Sequence, residues 1–172
     1  SVEVCATAPL GSLGLPAEHL LPVHLNDGNL GGRSVWTANC WDAWVVVDLG
    51  SQKTVTATAF HTGVGSPGIP AEYEILVSSD GENWREVVAV EGNQENQRID
   101  VFERAVRARY VKLQTYSTTR GGWLTLDEVF VFDQNGLAAA QSYQSDFEKL
   151  LQDSRDFGNF MRLSWETSPY DT

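Results

Sequence analysis

Residues 71 to 84 read AEYEILVSSDGENW. An alternating apolar run enters an SSDG turn, and Trp84 restarts the alternation beyond it. That grammar predicts two adjacent strands of an antiparallel sheet. Outward from it, short apolar runs recur at 44 to 49, 53 to 61, 84 to 90, 97 to 103, 106 to 116 and 123 to 133, separated by Gly, Pro, Asn, Asp and Ser clusters. About eight short strands with regular turn signals predict an all-β domain, a β-sandwich or jelly roll. In KTVTATAFH the alternation sets Val55, Ala57 and Ala59 against threonines, and in RYVKLQTY it sets Val111, Leu113 and Thr115 against Tyr110, Lys112 and Gln114. Each such strand is expected to half-bury itself against a partner sheet.

The grammar changes after Asn135-Gly136. Tyr143, Phe147, Leu150, Leu151 and Phe157 fall at helical spacing, and Ser145 with Glu148 forms a capping box, so a helix is predicted over about 146 to 157. The expected division is a β-sandwich over 1–134 and a helical tail, or linker to a following module, over 135–172.

Twelve Lys and Arg against 23 Asp and Glu give a net charge of −11. Such a surface repels phosphate backbones and anionic headgroups, which argues against nucleic acid and membrane partners. No run approaches the roughly 18 apolar residues of a membrane span, and SVEVCATAP lacks the basic flank and apolar block of a signal peptide, as in a mature or excised fragment. The two cysteines, Cys5 and Cys40, allow one disulfide or two buried thiols. Gly63, Gly65 and Gly68 match a GxGxxG pattern, but Ile69-Pro70 and a strand follow where a phosphate-binding helix would have to begin. His19, His24 and His61 show no zinc spacing. No serine, histidine and acid assemble into a triad, and Asp127-Glu128, as strand neighbours, face opposite ways rather than one bond. None of these patterns marks a catalytic site.

With WVVVDLG at 44 to 50 and ARYVKLQ at 108 to 114, the AEYEILVSSDGENW segment resembles one family: the discoidin domain, or coagulation factor V/VIII C-type module, with its bacterial relatives of carbohydrate-binding module family 32. The resemblance covers about residues 1 to 134. It implies a galactose-binding-domain-like jelly roll and a non-catalytic carbohydrate-binding role. LNDGNLGGRSVW at 25 to 36 is similar to the family's DGN…T…W loop, which implies structural calcium between this turn and the last strand. By position Asp27 and Glu128 would supply carboxylates, Asn26 and Asn29 carbonyl oxygens, and Ser34 a hydroxyl or carbonyl. Calcium suits such a set, since it takes six to eight oxygens. The interval from Asp27 to Trp36 is about two residues longer than the commonest form, and Ser34 replaces the usual threonine. An ordinary hydrogen-bonded NDGN turn beside a solvated Glu128 is the alternative, and Asp127 is a rival ligand.

Loops at one end of such a sandwich are free to vary, and four could form a site: 9 to 24, 37 to 43, 62 to 70 and 117 to 123. Sugars need an aromatic face for the ring and planar polar groups for the hydroxyls. Trp41 and Trp123 are the candidate platforms, and Asn39, Asp42, His61 and Arg120 the candidate polar groups. Trp123 could equally cap the sandwich. His61, at a strand end, can project outward. Trp36, Trp44 and Trp84 are assigned to packing. Many galactose-binding members carry an arginine in the loop after the strand that ends at His61; Gly63, Val64 and Gly65 stand there instead, which departs from galactose itself but not from glycans as a class. The expectation is a glycan-binding module, for a galactose-type or related sugar, excised from a larger secreted or cell-surface enzyme or adhesin and flanked there by neighbouring domains. The alternative is a protein-interaction or scaffolding module without a sugar ligand.

Overall fold

The computed structural model describes residues 1–5, 22–28, 35–38, 42–63 and 68–142. Its elements are β1 (Val2–Val4), a 3-10 helix (Pro22–Asn26), β2 (Trp36–Thr37), β3 (Trp44–His61), β4 (Pro70–Ser78), β5 (Arg85–Val90), β6 (Gln97–Thr118), β7 (Thr125–Leu126), β8 (Glu128–Phe132) and α1 (Gln134–Ser142).

The turn between β4 and β5 forms as its residues dictate. Asp80 accepts the backbone N–H groups of Glu82 and Asn83 at 2.9 and 2.8 Å and the Asn83 side-chain amide at 2.8 Å. Those bonds, led by the two from Asn83, hold the Asp80 carboxyl well below the usual carboxylate range. Gly81 takes φ +84, a conformation that costs glycine nothing. Trp84 then leads into β5, whose Arg85 pairs with Val77.

All pairings are antiparallel, in the order β1-β3-β6-β4-β5, with β8 on the far part of β3 and a separate β2-β7 pair. The fold is a β-sandwich. Among the described residues there are eight strands, but their bounds differ from the sequence reading. The runs at 44 to 49 and 53 to 61 are one strand, β3, and those at 97 to 103 and 106 to 116 are one strand, β6. Both strands bend and serve both layers. Trp44 to Asp48 pair with Gln114 to Tyr110, and after register shifts at Asp48/Lys53 and Val55/Ala57, Ala57 to His61 pair with Val101 to Gln97 on one side and with Phe132 to Glu128 on the other.

The shift after Val55 also changes the facing of KTVTATAFH. Val55 and Phe60 lie in the main core with Trp36, Tyr73, Ile75 and Leu113. Ala57 and Ala59 instead meet Phe130, Phe132, Leu137 and Ala140 in a second cluster. Thr56 and Thr58 are therefore buried too, while Thr54, ahead of the shift, stays exposed. Thr56 donates to the Phe132 carbonyl at 3.2 Å, and Thr58 lines a small cavity between the layers with Val45, Phe60, Ile75 and Val129. The helix α1 lies at the start of the expected helical tail, ahead of the span read as a helix, and it covers the Ala57/Ala59 face of β3 and β8. The helix read over 146 to 157 lies outside the described residues. Cys5 is disulfide-bonded, and the sequence offers one other cysteine, Cys40.

Candidate functional site

Because β3 and β6 both fold over between the layers, the connections that leave their ends meet at one end of the sandwich. Backbone bonds fasten them there. Thr115 N–H donates to the Ala43 carbonyl at 2.7 Å, Ala38 to Leu124 at 2.9 Å, Thr119 to Ile69 at 3.0 Å, Thr125 to Gly68 at 3.1 Å and Thr62 to Asn96 at 2.7 Å. Gly68 is a point of close approach: a Cβ there would lie 2.1 Å from the Trp123 carbonyl oxygen and 2.7 Å from the Thr125 nitrogen. Only a glycine lets the 62 to 70 loop lie against the loop that carries Trp123.

Trp123 is 36% exposed, so its indole is open at this end rather than capping the core. Arg120 is exposed on the same loop, whose turn is closed by the Thr118 hydroxyl donating to the Gly122 carbonyl at 2.7 Å and by Gly121 at φ +65. Asp42 is exposed in a left-handed conformation, φ 55, and its carbonyl accepts the Gln114 side-chain amide at 2.8 Å. Asn39 and Trp41 lie outside the described residues.

His61 stands differently from the outward projection expected of a strand end. It is only 4% exposed, and its Nδ1 lies 3.1 Å from Asp127 Oδ2. The Asp127 N–H also donates to the His61 carbonyl at 2.9 Å, so backbone and side chain together turn the ring inward. Asp127 itself is fully buried.

Glu128, the next residue, faces the other way. The 3-10 helix buries Leu25 and delivers the Asn26-Asp27-Gly28 turn to the start of β8, where the Gly28 N–H, at φ 75, donates to Glu128 Oε1. Glu128 is 1% exposed, and its Oε2 has no hydrogen-bond partner. Burial above all, with the nearby Asp27 and Asp127 charges adding to it, pushes its pKa up to about 9. The reading of Glu128 as a solvated carboxylate is thereby corrected: alternation along β8 sends it inward against the turn. Asp27 is exposed and lies 2.8 Å from His24 Nδ1, and Asn26 is exposed beside it. Asn29 and Ser34 lie outside the described residues. Among the described residues no cluster of three or more His, Cys, Asp or Glu is arranged to hold a metal. A buried carboxylate oxygen without a partner, next to a second carboxylate, nevertheless has the chemistry of a cation site whose remaining oxygens come from amides and backbone.

Trp36 is core, as its assignment to packing expected, but Trp44 and Trp84 are only partly buried and lie on the outer face of the sheet. The sequence reading missed that placement. Trp44 precedes Val45 in strict alternation, and with Val45 inward the indole has to face out.

Residues 17–129 match the F5/8 type C domain. The chain belongs to the F5/8 type C family. Within the family, bovine lactadherin is 29% identical, over 65% of this chain and 30% of lactadherin. The polysaccharide lyase 8 family protein HylA of Enterococcus faecalis is 34% identical over 46% of this chain and 6% of HylA. The F5/8 type C chain thus spans less than a third of the length of these curated relatives. Among solved structures, CpGH89CBM32-5 from Clostridium perfringens, in complex with GalNAc-β-1,3-galactose, superposes with a TM-score of 0.66 at 18% identity, over 77% of this chain and 94% of that one. The CBM32 of AlyQ, in complex with 4,5-unsaturated mannuronic acid, gives 0.60 at 26% identity, over 77% and 93%. Among the described residues no helix is long and apolar enough to cross a membrane.

Proposed function

We propose that this F5/8 type C domain is a non-catalytic carbohydrate-binding module that takes a glycan at its loop end. Trp123 carries the reading: an open indole, held in place by the close approach of Gly68 to its own backbone, with Arg120 on the same loop. A fixed aromatic face beside polar donors is what the apolar side and the hydroxyls of a pyranose require. Asp42 contributes from the adjoining connection, and Asn39 and Trp41 belong to that same connection in sequence. His61 then acts from below, with Asp127, by anchoring the strand end from which the 62 to 70 loop departs. The sugar-bound states of CpGH89CBM32-5 and the AlyQ module support glycans as the ligand class.

Calcium is proposed as the structural ion. Glu128 and Asp27 would hold it, with Asn26, Asn29 and Ser34 as further oxygen donors. When bound, the ion supplies the positive charge that lets a buried Glu128 ionise beside Asp27, and so ties the Asn26-Asp27-Gly28 turn to β8. The parent protein is proposed to be a larger secreted or cell-surface enzyme or adhesin. Modest single-site affinity, roughly 4 to 7 kcal/mol or millimolar to micromolar, would then be raised by tethering.

The test is a glycan array probed with the chain and with Trp123→Ala, in calcium and after chelation. Binding to a defined sugar set that Trp123→Ala abolishes, without a change in melting temperature, is expected. A blank array from folded, calcium-loaded protein would reject the reading in favour of a protein-interaction module.

A further inference from the structure

The alternation that sends Val45, Ile75, Val111 and Leu113 into the core sends Trp44, Val46, Leu76 and Lys112 to the outer face of the layer formed by β1, β3, β6, β4 and β5. Lys112 stands on the central strand, paired with Val46 on one side and Leu76 on the other. Its Nζ lies 5.4 Å from the Trp44 ring centroid and 5.8 Å from that of Trp84. Both indoles are only partly buried, so a ligand on this face can reach both. Burial lowers the Lys112 pKa, and no ion pair involves it: among the described residues the pairs engage His24, His61, Arg98 and Arg109. Asp42 lies within charge range of Tyr116 on this face, and the other acids are held or set apart. Asp48 is held bidentately by Arg109 at 2.8 and 2.9 Å, Glu74 accepts the Tyr116 hydroxyl at 2.8 Å, and Glu3 and Glu86 stand one strand further out on either side. The centre of the face is therefore a partly buried cation without an ion-pair partner among the described residues, flanked by two aromatic plates.

We propose that this sheet face is a second glycan-binding surface, separate from the loop end, which takes a carboxylated sugar residue of the uronic acid type: its carboxylate pairs with Lys112 and its ring lies against Trp84 or Trp44. A charge-assisted bond to a partly desolvated ammonium is stronger than one to a fully solvated lysine, and the indoles supply the stacking surface. The inference shares only its ligand class with the loop-end reading and uses none of the loop residues.

The experiment is a calorimetric titration of tetragalacturonate, with galactose as the neutral control, into the wild-type chain, Lys112→Gln, Lys112→Arg and Trp123→Ala. Expected are saturable binding of tetragalacturonate, at least tenfold weaker in Lys112→Gln, largely kept in Lys112→Arg and unchanged in Trp123→Ala. Because Lys112 also packs between the indoles, the wild-type Lys112 side-chain NMR signals are followed in parallel and should shift with tetragalacturonate but not with galactose. No binding at millimolar tetragalacturonate, no shift at Lys112, or a loss confined to Trp123→Ala would overturn the proposal. The last outcome would place acidic sugars at the loop end and leave the Lys112 stack as packing alone. Loss of galactose binding in Trp123→Ala with tetragalacturonate binding intact separates the two surfaces.

Discussion

Replacing Glu128 with glutamine should make the metal-free protein more stable at neutral pH, although the residue is buried and hydrogen-bonded. Glu128 is 1% exposed, with a pKa raised by burial from 4.5 to about 9. Between those values the folded chain holds a proton that the unfolded chain has released. Stability from this group is therefore fully present below about pH 4.5 and is lost as pH rises towards 9, at about 1.4 kcal/mol per pH unit. From 4.5 to 7 the loss is about 3 kcal/mol. Glutamine is neutral in both states and can still accept the Gly28 N–H, so Glu128→Gln escapes this penalty. For a chain of this size that is roughly 6 to 12 °C in melting temperature. The assay is urea unfolding in chelator, at half-unit steps from pH 5 to 8.5. The wild type should weaken steadily with pH, the variant should not, and the gap should widen from under about 1 kcal/mol at pH 5. Adding calcium should then reverse the order, because only the carboxylate gains from the ion; at a thousandfold excess over its dissociation constant the gain of about 4.1 kcal/mol exceeds that penalty. A wild type whose metal-free stability is flat or rises across that range would refute the buried, proton-binding carboxylate.

Other perturbations read other parts of the fold. Thr58→Val should stabilise by about 1 kcal/mol in urea unfolding, because the Thr58 hydroxyl is buried without a partner in an apolar cavity; a loss would mean that an internal water bonds it. Gly68→Ala should cost about 1 to 3 kcal/mol and alter tryptophan fluorescence, since its Cβ would sit 2.1 Å from the Trp123 carbonyl oxygen and force the two loops apart. Reducing the Cys5 disulfide should lower stability by about 3 to 4 kcal/mol in the chain-entropy picture, and an unchanged melt in reductant would count against it.

What the sequence makes legible follows from what is local. The SSDG turn is readable because Asp80 and Gly81 build it from their own side chain and backbone freedom, and the RYVKLQTY facing because nothing interrupts its alternation: Val111, Leu113 and Thr115 are all buried. Legibility fails where a register shift intervenes. The break after Val55 turns one continuous strand through both layers, and no residue between 53 and 61 signals it by type. The short strands β1 and β2 escaped notice because two or three residues carry no period. At the loop end, the exposure of Arg120 and Trp123 is legible from a Gly-rich loop. The burial of His61 is not, because its inward turn depends on Asp127, 66 residues away, and the burial of Glu128, which the alternative reading left solvated, depends on the Gly28 turn placed over it.

The bent ribbon of β3 and β6 has a kinetic side. Trp44 pairs with Gln114, and His61 with Gln97, so the ladder that joins the layers closes contacts across tens of residues before the connections at the loop end can meet. Such pairing is slow, since loop-closure entropy is lost before the contacts reward it. The loop end therefore has no independent existence as a peptide or a half-domain. Any fragment that stops short of β6 and β8 lacks the strands that hold Trp123, Asp127 and Glu128 against the rest, and ligand binding becomes a reporter of complete folding.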